Sequence, residues 1–445
     1  MGIVLAIVWA AASPSPQDSV AVVTTFAGDS AIGPKAVPDN VGAVGPGHVV
    51  DFTVANVVVH DKTSGKVLLE KTQEQFWREL GFPNIWPNDP RILYDALSGR
   101  FIATIAHDKV HHLFLAVSTT SDPTQPWKGV MTPFDSPDFG FRMGVDKNGF
   151  YGSWWNHNKD THVMMDCCAW PKADLLAADG PSLANVTVFH DLEIECFAAT
   201  DPNPDKSPDA PEILLNHEFA RTSFNKLYMY KITWSGKAAS ISKVQEIPLA
   251  KTYFCPNGSS QQNEAVQPAP GGKLRADEGR RTSSVYAWGG SVFSCNEAKR
   301  DLAGRCGIFW CEVRASDGAV LQEGLIDDPE CDYLAPSVAV DGRGGVGIGC
   351  TRTSASEFPS ACVMGRSASA PRNTMGRPVV SVKGTTVFTP KTPPKFAIAW
   401  GNYNSTCLDP ADPMVLWTYQ EYAASKTPGQ WCTCWTAFRV TPGGK

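Results

Sequence analysis

Short runs of alternating apolar and polar residues fill this chain, separated by turns rich in Asp and Gly. Alternation with a period of two is the pattern of a half-buried strand. One phrase recurs in altered form: strand, tight turn, strand. It reads Ile92-Leu93-Tyr94-Asp95-Ala96-Leu97-Ser98-Gly99-Arg100-Phe101, then Met143-Gly144-Val145-Asp146-Lys147-Asn148-Gly149-Phe150-Tyr151, then Ser337-Val338-Ala339-Val340-Asp341-Gly342-Arg343-Gly344-Gly345-Val346. Asp and Gly in these turns supply the left-handed backbone that tight hairpins need. Self-similarity at a spacing of about fifty to seventy residues marks a repeat architecture.

Seven such segments can be laid over one another. The first pairs Val41–Val44 with Val49–Thr53 and adds a hairpin through Asp61–Gly65. The next two centre on the Asp95 and Asp146 turns. The fourth pairs Glu212–Glu218 with Lys226–Trp234, and the fifth runs from Ser283–Trp288 to Gly307–Val313. The sixth holds the Asp341 turn, and the seventh contains Phe396–Trp400 and Met414–Tyr419. Units of about sixty residues suit four-stranded blades. The fold expected is all-β: a single β-propeller over residues 17–445, with seven four-stranded blades. Val20–Phe26 and Thr433–Val440 read as terminal strands, and their pairing would close the ring and remove an exposed edge. Short helices are expected near Thr72–Leu80 and Pro171–Ala178.

Composition narrows the class without naming a reaction. The 38 Gly and 34 Pro suit a turn-rich β chain. Net charge is −6, with no basic stripe, so nucleic acid is a poor partner. Ile3–Ala12 is a short apolar run followed by Ser13-Pro14-Ser15-Pro16, so residues 1–16 read as a secretory signal that lacks its positive start. No stretch reaches the ~20 apolar residues of a transmembrane helix. Thirteen cysteines and the sequons at Asn185, Asn257 and Asn404 point to a secreted, disulfide-bonded glycoprotein. Cys295 with Cys306, and Cys350 with Cys362, flank hairpins and are expected to form local bridges. The odd total leaves one thiol free or paired between chains.

Candidate chemistry gathers where the units differ. Asp89 and Arg91 precede the Asp95 turn and would stand at the mouth of the axial channel. Trp400, Asn402 and Tyr403 combine aromatic faces with an amide, as sugar binding requires. Trp154 and Trp155 fall at an expected loop and offer a second aromatic surface. Arg91, Arg281 and Arg352 lie near strand ends in different units and could converge on a carboxylate. Asp89, Glu218 and Glu421 are the carboxylates to consider for catalysis. The string nearest to an Asp-box, Ser121–Trp127, lacks the Gly and the spacing, which argues against a true sialidase. No zinc spacing or nucleophile elbow occurs. No cofactor is identified; calcium on the axis is an open expectation, although no compact acidic loop encodes it.

Asp89–Asp95 with Ser98–Phe101, Ala335–Asp341, and Trp400–Tyr403 with Asp409–Asp412 and Trp417 carry a family likeness. On these residues the chain resembles secreted, largely uncharacterised β-propeller proteins loosely related to the sialidase-like (BNR-type) superfamily. The resemblance implies the fold and secretion, and no particular reaction. In that group Trp-Gly is commonly followed by Asp and Tyr; Asn402 stands here in place of the Asp. The function expected is extracellular binding of glycans or glycoproteins, or a structural extracellular role, through the axial mouth. The alternative is a glycosidase or polysaccharide lyase, whose carboxylates would have to share a cleft.

Overall fold

Seven antiparallel four-stranded blades stand around one axis in the computed structural model. The structure describes residues 19–31, 37–83, 85, 87–107, 112–132, 134, 141–157, 163–217, 222–255, 264–276, 284–391 and 398–442. Glu218, Arg281, Asn257 and the expected signal segment lie outside them.

Each blade runs outward from the axis in chain order. Blade 1 comprises Val41–Val44, His48–Phe52, Asn56–Asp61 and Val67–Thr72. Blade 2 spans Pro87–Asp95 to Trp127–Met131, and blade 3 spans Arg142–Val145 to Thr187–Leu192. Blade 4 starts at the short strand Phe197–Ala198, and its long third strand, Ser223–Ser235, pairs with both Ala238–Ile241 and Gln245–Phe254. Blades 5 and 6 begin at Ser284–Trp288 and Cys331–Val340. Blade 7 joins Ser405–Leu408, Leu416–Tyr422 and Trp431–Thr441 to the N-terminal strand Ser19–Ala31. The ring therefore closes as expected, with Ser19 opposite Thr441 and Ala31 opposite Trp431.

Local chemistry explains these elements. The repeated phrase is the hairpin between the first and second strands of blades 2, 3 and 6. Thr72 caps the helix Gln73–Glu79: its hydroxyl accepts the Gln75 N–H while the Gln75 side chain accepts the Thr72 N–H. Lys172–Leu175 forms the second short helix. In blade 6, Gly347 and Gly349 let blade 7 approach closely. A Cβ at Gly347 would lie 2.3 Å from Leu416, and one at Gly349 would lie 2.0 Å from the Thr418 hydroxyl. Blade-to-blade packing thus selects glycine inside a strand.

Several expectations are corrected. Ser405–Leu408, and not the expected Phe396–Trp400, supplies the inner strand of blade 7; Phe396 and Ala397 lie outside the described residues. Gly401 and Asn402 have φ of +72° and +78°, which breaks the strand direction and sends the chain across the mouth. No disulfide joins any of the described cysteines. Cys350 and Cys362 face each other across adjacent strands, but no bridge joins them. Cys295 lies opposite Trp310, whereas Cys306 precedes the strand Gly307–Arg314, so that bridge fails on register. Twelve of the thirteen cysteines are buried and Cys407 is half-buried. These buried cysteines act as small hydrophobes. Asn404 is buried and bonded on both faces of its amide, to Asn40 and to the Ala335 carbonyl, so the folded protein cannot present it for glycosylation. Asn185 remains half-buried and donates to Asp174.

Among the described residues no helix is long and apolar enough to cross a membrane.

Candidate functional site

The inner strands run in the same sense along the axis, so the ring has an entrance, where they begin, and an exit, where they end. Along the axis lies a cavity of about 150 Å³, lined by residues from all seven inner strands. Much of its lining is apolar, with Val44, Phe197, Val285, Tyr286, Val338 and Leu408. Its entrance end is not.

Arg91 from blade 2 and Arg142 from blade 3 reach this end, 5% and 6% exposed. The Arg91 guanidinium lies 3.2 Å from the centroid of the Tyr403 ring, and that of Arg142 lies 4.5 Å from the same centroid. Such stacking is favourable for a desolvated cation. Arg91 Nε donates to the Phe141 carbonyl at 2.6 Å, which ties blade 2 to the segment leading into blade 3. Arg91 Nη2 and Arg142 Nε and Nη1 are buried without a hydrogen-bond partner among the described residues. Burial pulls the Arg91 pKa down to about 10, and the neighbouring charge of Arg142 pulls the same way, against Tyr403, Asp89 and Asp39.

The chain around Tyr403 is fixed from several sides. The Tyr403 hydroxyl donates to Asp89 at 2.7 Å. Asn402 donates to Asp39, and Asn40 to Asn404. The Gly401 N–H donates to Glu421 at 2.6 Å. Glu421 is fully buried, and burial pushes its pKa up to about 8, with Asp39 adding to the rise. It is therefore a largely neutral acid near pH 7 that holds the Gly401 turn. It does not line the axial cavity.

Backbone strain concentrates at the same end. Asp39, Asp89, Ala335 and Asn402 have φ of +46°, +46°, +48° and +78°; Asp39 and Asn402 lie shortly before the inner strands of blades 1 and 7, and Asp89 and Ala335 sit at register shifts within those of blades 2 and 6. Left-handed non-glycine residues cost about 1–3 kcal/mol each and persist where the surroundings fix them. Asp89 sits at the bulge that shifts the blade 2 register between Asn88 and Arg91.

The other candidates are placed elsewhere. Trp154 lies inside the strand Gly149–His157, not in a loop, and is stacked on Phe134 at 4.8 Å and Phe141 at 5.9 Å. It is a core residue; Trp155, next along the same strand, is half-buried. Trp400 is also buried, edge-on to Phe388 and donating to the Thr351 hydroxyl at 3.1 Å. It fills a small secondary core on the entrance side with Leu334, Ile398 and Trp431. Arg352 is held by the Cys331 thiol and by Glu357 and does not line the cavity. The pair in the cavity is instead Arg91 with Arg142. Axial calcium does not fit, because the cavity's charged lining is cationic; nor does any group of three His, Cys, Asp or Glu among the described residues suit a metal.

Arg142 was missed from the sequence, although a signal exists. Arg91 and Arg142 each stand four residues before a turn aspartate, Asp95 and Asp146. Aligning the units on those aspartates puts both guanidiniums in one layer of the channel. Asp39 and Asn40 leave no such trace.

No family profile and no curated protein matches this chain. Solved propellers do. The haemagglutinin-neuraminidase of parainfluenza virus 5 is 10% identical, with a TM-score of 0.41 over 84% of this chain and 93% of that one. The exo-β-1,3-galactanase from Phanerochaete chrysosporium is 8% identical, with a TM-score of 0.35 over 94% and 97%. The WD40 domain of SCAP from fission yeast is 9% identical, with a TM-score of 0.36 over 92% and 98%. Carbohydrate enzymes and a WD40 domain are thus similar to the chain to the same degree. Likeness of this size assigns neither ligand nor reaction.

Proposed function

We propose that this protein is a binding propeller that receives a glycan or glycoprotein group at its entrance mouth, against Tyr403. The observation that carries this reading is the concentration of strain and fixed polar side chains around one axial cavity. Left-handed Asp39, Asp89, Ala335 and Asn402 hold Tyr403, Arg91 and Arg142 at its rim. Strain is kept in a fold where a site requires it, and an aromatic ring beside preset polar groups is the usual surface for a sugar. Binding of purified protein to a glycan array, lost in Tyr403→Ala, is the expected result. An array without any Tyr403-dependent signal would sink it.

Catalysis is the second reading, favoured by the hydrogen bond from Tyr403 to Asp89. A carboxylate bonded to a phenol is the arrangement of an activated hydroxyl. A polysaccharide degradation screen separates the readings: turnover that Asp89→Asn abolishes establishes an enzyme. Glu421, buried away from the cavity, does not supply a second carboxylate there. A single propeller over residues 17–445 behind a cleaved segment at 1–16 is part of the same proposal, as is an extracellular location. The apolar N-terminal run and the Asn185 sequon support it. N-terminal sequencing of protein purified from its native source decides the point.

A further inference from the structure

We infer that Arg91 and Arg142 form a seat for one carboxylate group of the ligand. The inference rests on the axial cavity being the binding site and names the chemistry the cavity accepts. Two guanidiniums are nine-tenths buried, come from different blades, and share the Tyr403 ring. Like charges in that position repel one another, and no described residue neutralises them by direct contact. Among the described residues no carboxylate forms an ion pair with either one, and Asp89 accepts a hydrogen bond from the Tyr403 hydroxyl. Three guanidinium nitrogens remain without acceptors. Buried charge without a partner is costly, so this is a position where a bound anion would add favourable contacts and remove an unfavourable one.

A carboxylate suits these donors, because its two oxygens can accept from guanidiniums of both blades at once. Size agrees. A cavity of about 150 Å³ is large enough for an acidic group and small for a whole sugar chain. It admits the acidic end of a ligand and leaves the rest outside the mouth. The apolar lining of the channel then excludes water from the seat and strengthens each contact.

Titration calorimetry with the full-length protein tests the seat using sodium glucuronate, glucose, glucose 6-sulfate and benzoate. The expected order places glucuronate at least about tenfold tighter than glucose, with Arg142→Met or Arg91→Met weakening glucuronate by about tenfold or more. Ligand-free Arg142→Met should melt no lower than the wild type, because it removes an unpaired buried charge. A merely structural arginine would instead lower the melting point and leave affinity unchanged, which would overturn the inference. Equal affinity for glucose and glucuronate, no response to any carboxylate, or tighter binding of the sulfate would overturn it as well. These wild-type comparisons hold even if a variant does not fold. Benzoate bound through the arginines with no uronate binding would keep the seat and remove the glycan reading. A Tyr403-dependent array signal confined to neutral glycans, unaffected by Arg142→Met, would do the reverse.

Discussion

The two ends of the axial channel solve the same problem of buried charge in opposite ways. At the exit, Asp95, Asp146, Asp201, Asp341 and Asp409 close or follow the inner strands of five blades. Each accepts backbone N–H groups of its own turn. Asp341, for example, takes those of Arg343 and Gly345, both at 2.8 Å. Lysines from the next blade cover three of them: Lys172 on Asp95, Lys206 on Asp146 and Lys62 on Asp409. At the entrance, two guanidiniums remain short of acceptors, and four non-glycine residues carry left-handed backbone. The exit is built for stability through satisfied polar groups. The entrance retains unsatisfied donors and strain, as binding sites do. The easily seen repeat therefore marks the end of the molecule that holds the ring together.

The largest effect should come from the exit. Lys206 Nζ lies 2.7 Å from Asp146, 3.0 Å from Glu212 and 3.2 Å from Asp201. Lys206→Met leaves three buried carboxylates facing one another, and urea unfolding should show a loss of about 3–5 kcal/mol. A loss under about 1 kcal/mol would erase the contrast between the two ends.

The next effect depends on pH. The folded pKa of Glu421, raised to about 8 by burial, lies above its ordinary value of 4.5. The folded state then holds a proton that the unfolded state releases, so this stabilisation is full below about pH 4.5 and is lost as pH rises toward about 8. Glu421→Gln keeps an acceptor for the Gly401 N–H and removes the titration. Its stability relative to the wild type should rise by a few kcal/mol between pH 5 and pH 8. Parallel stability curves would show that Glu421 titrates normally.

The smallest effect has the opposite sign. Ala335→Gly at φ +48° relieves left-handed strain and should stabilise the protein by about 1 kcal/mol, less the entropy glycine adds to the unfolded chain. Denaturant midpoints measure this. A clear loss would mean that the Ala335 methyl packs more than its backbone strains.

Much of the scaffold was legible in the sequence, and the reason is local. Strand alternation, Asp–Gly turns, the Thr72 cap and β-rich termini act through neighbours a few residues away, so they can be read in order along the chain. The site was legible only in part. Asp89, Arg91 and Tyr403 announced themselves because their units depart from the repeat. Trp154 and Trp400 suggested binding by composition, yet packing buried both. Whether an aromatic ring faces ligand or core depends on distant residues, Phe134 and Phe388 here.

The sequence by itself determined the repeat, the strand order and the turn aspartates, since short-range backbone preferences and period-two burial encode them. Only the tertiary structure decided that the cysteines are mostly buried, that Asn404 is walled in, and that Arg142 joins Arg91 over Tyr403. Those outcomes depend on ring closure, which brings together side chains separated by hundreds of positions, 312 for Arg91 and Tyr403 and 364 for Asn40 and Asn404. No local preference carries information over that distance; burial and charge act on it only once the blades have closed.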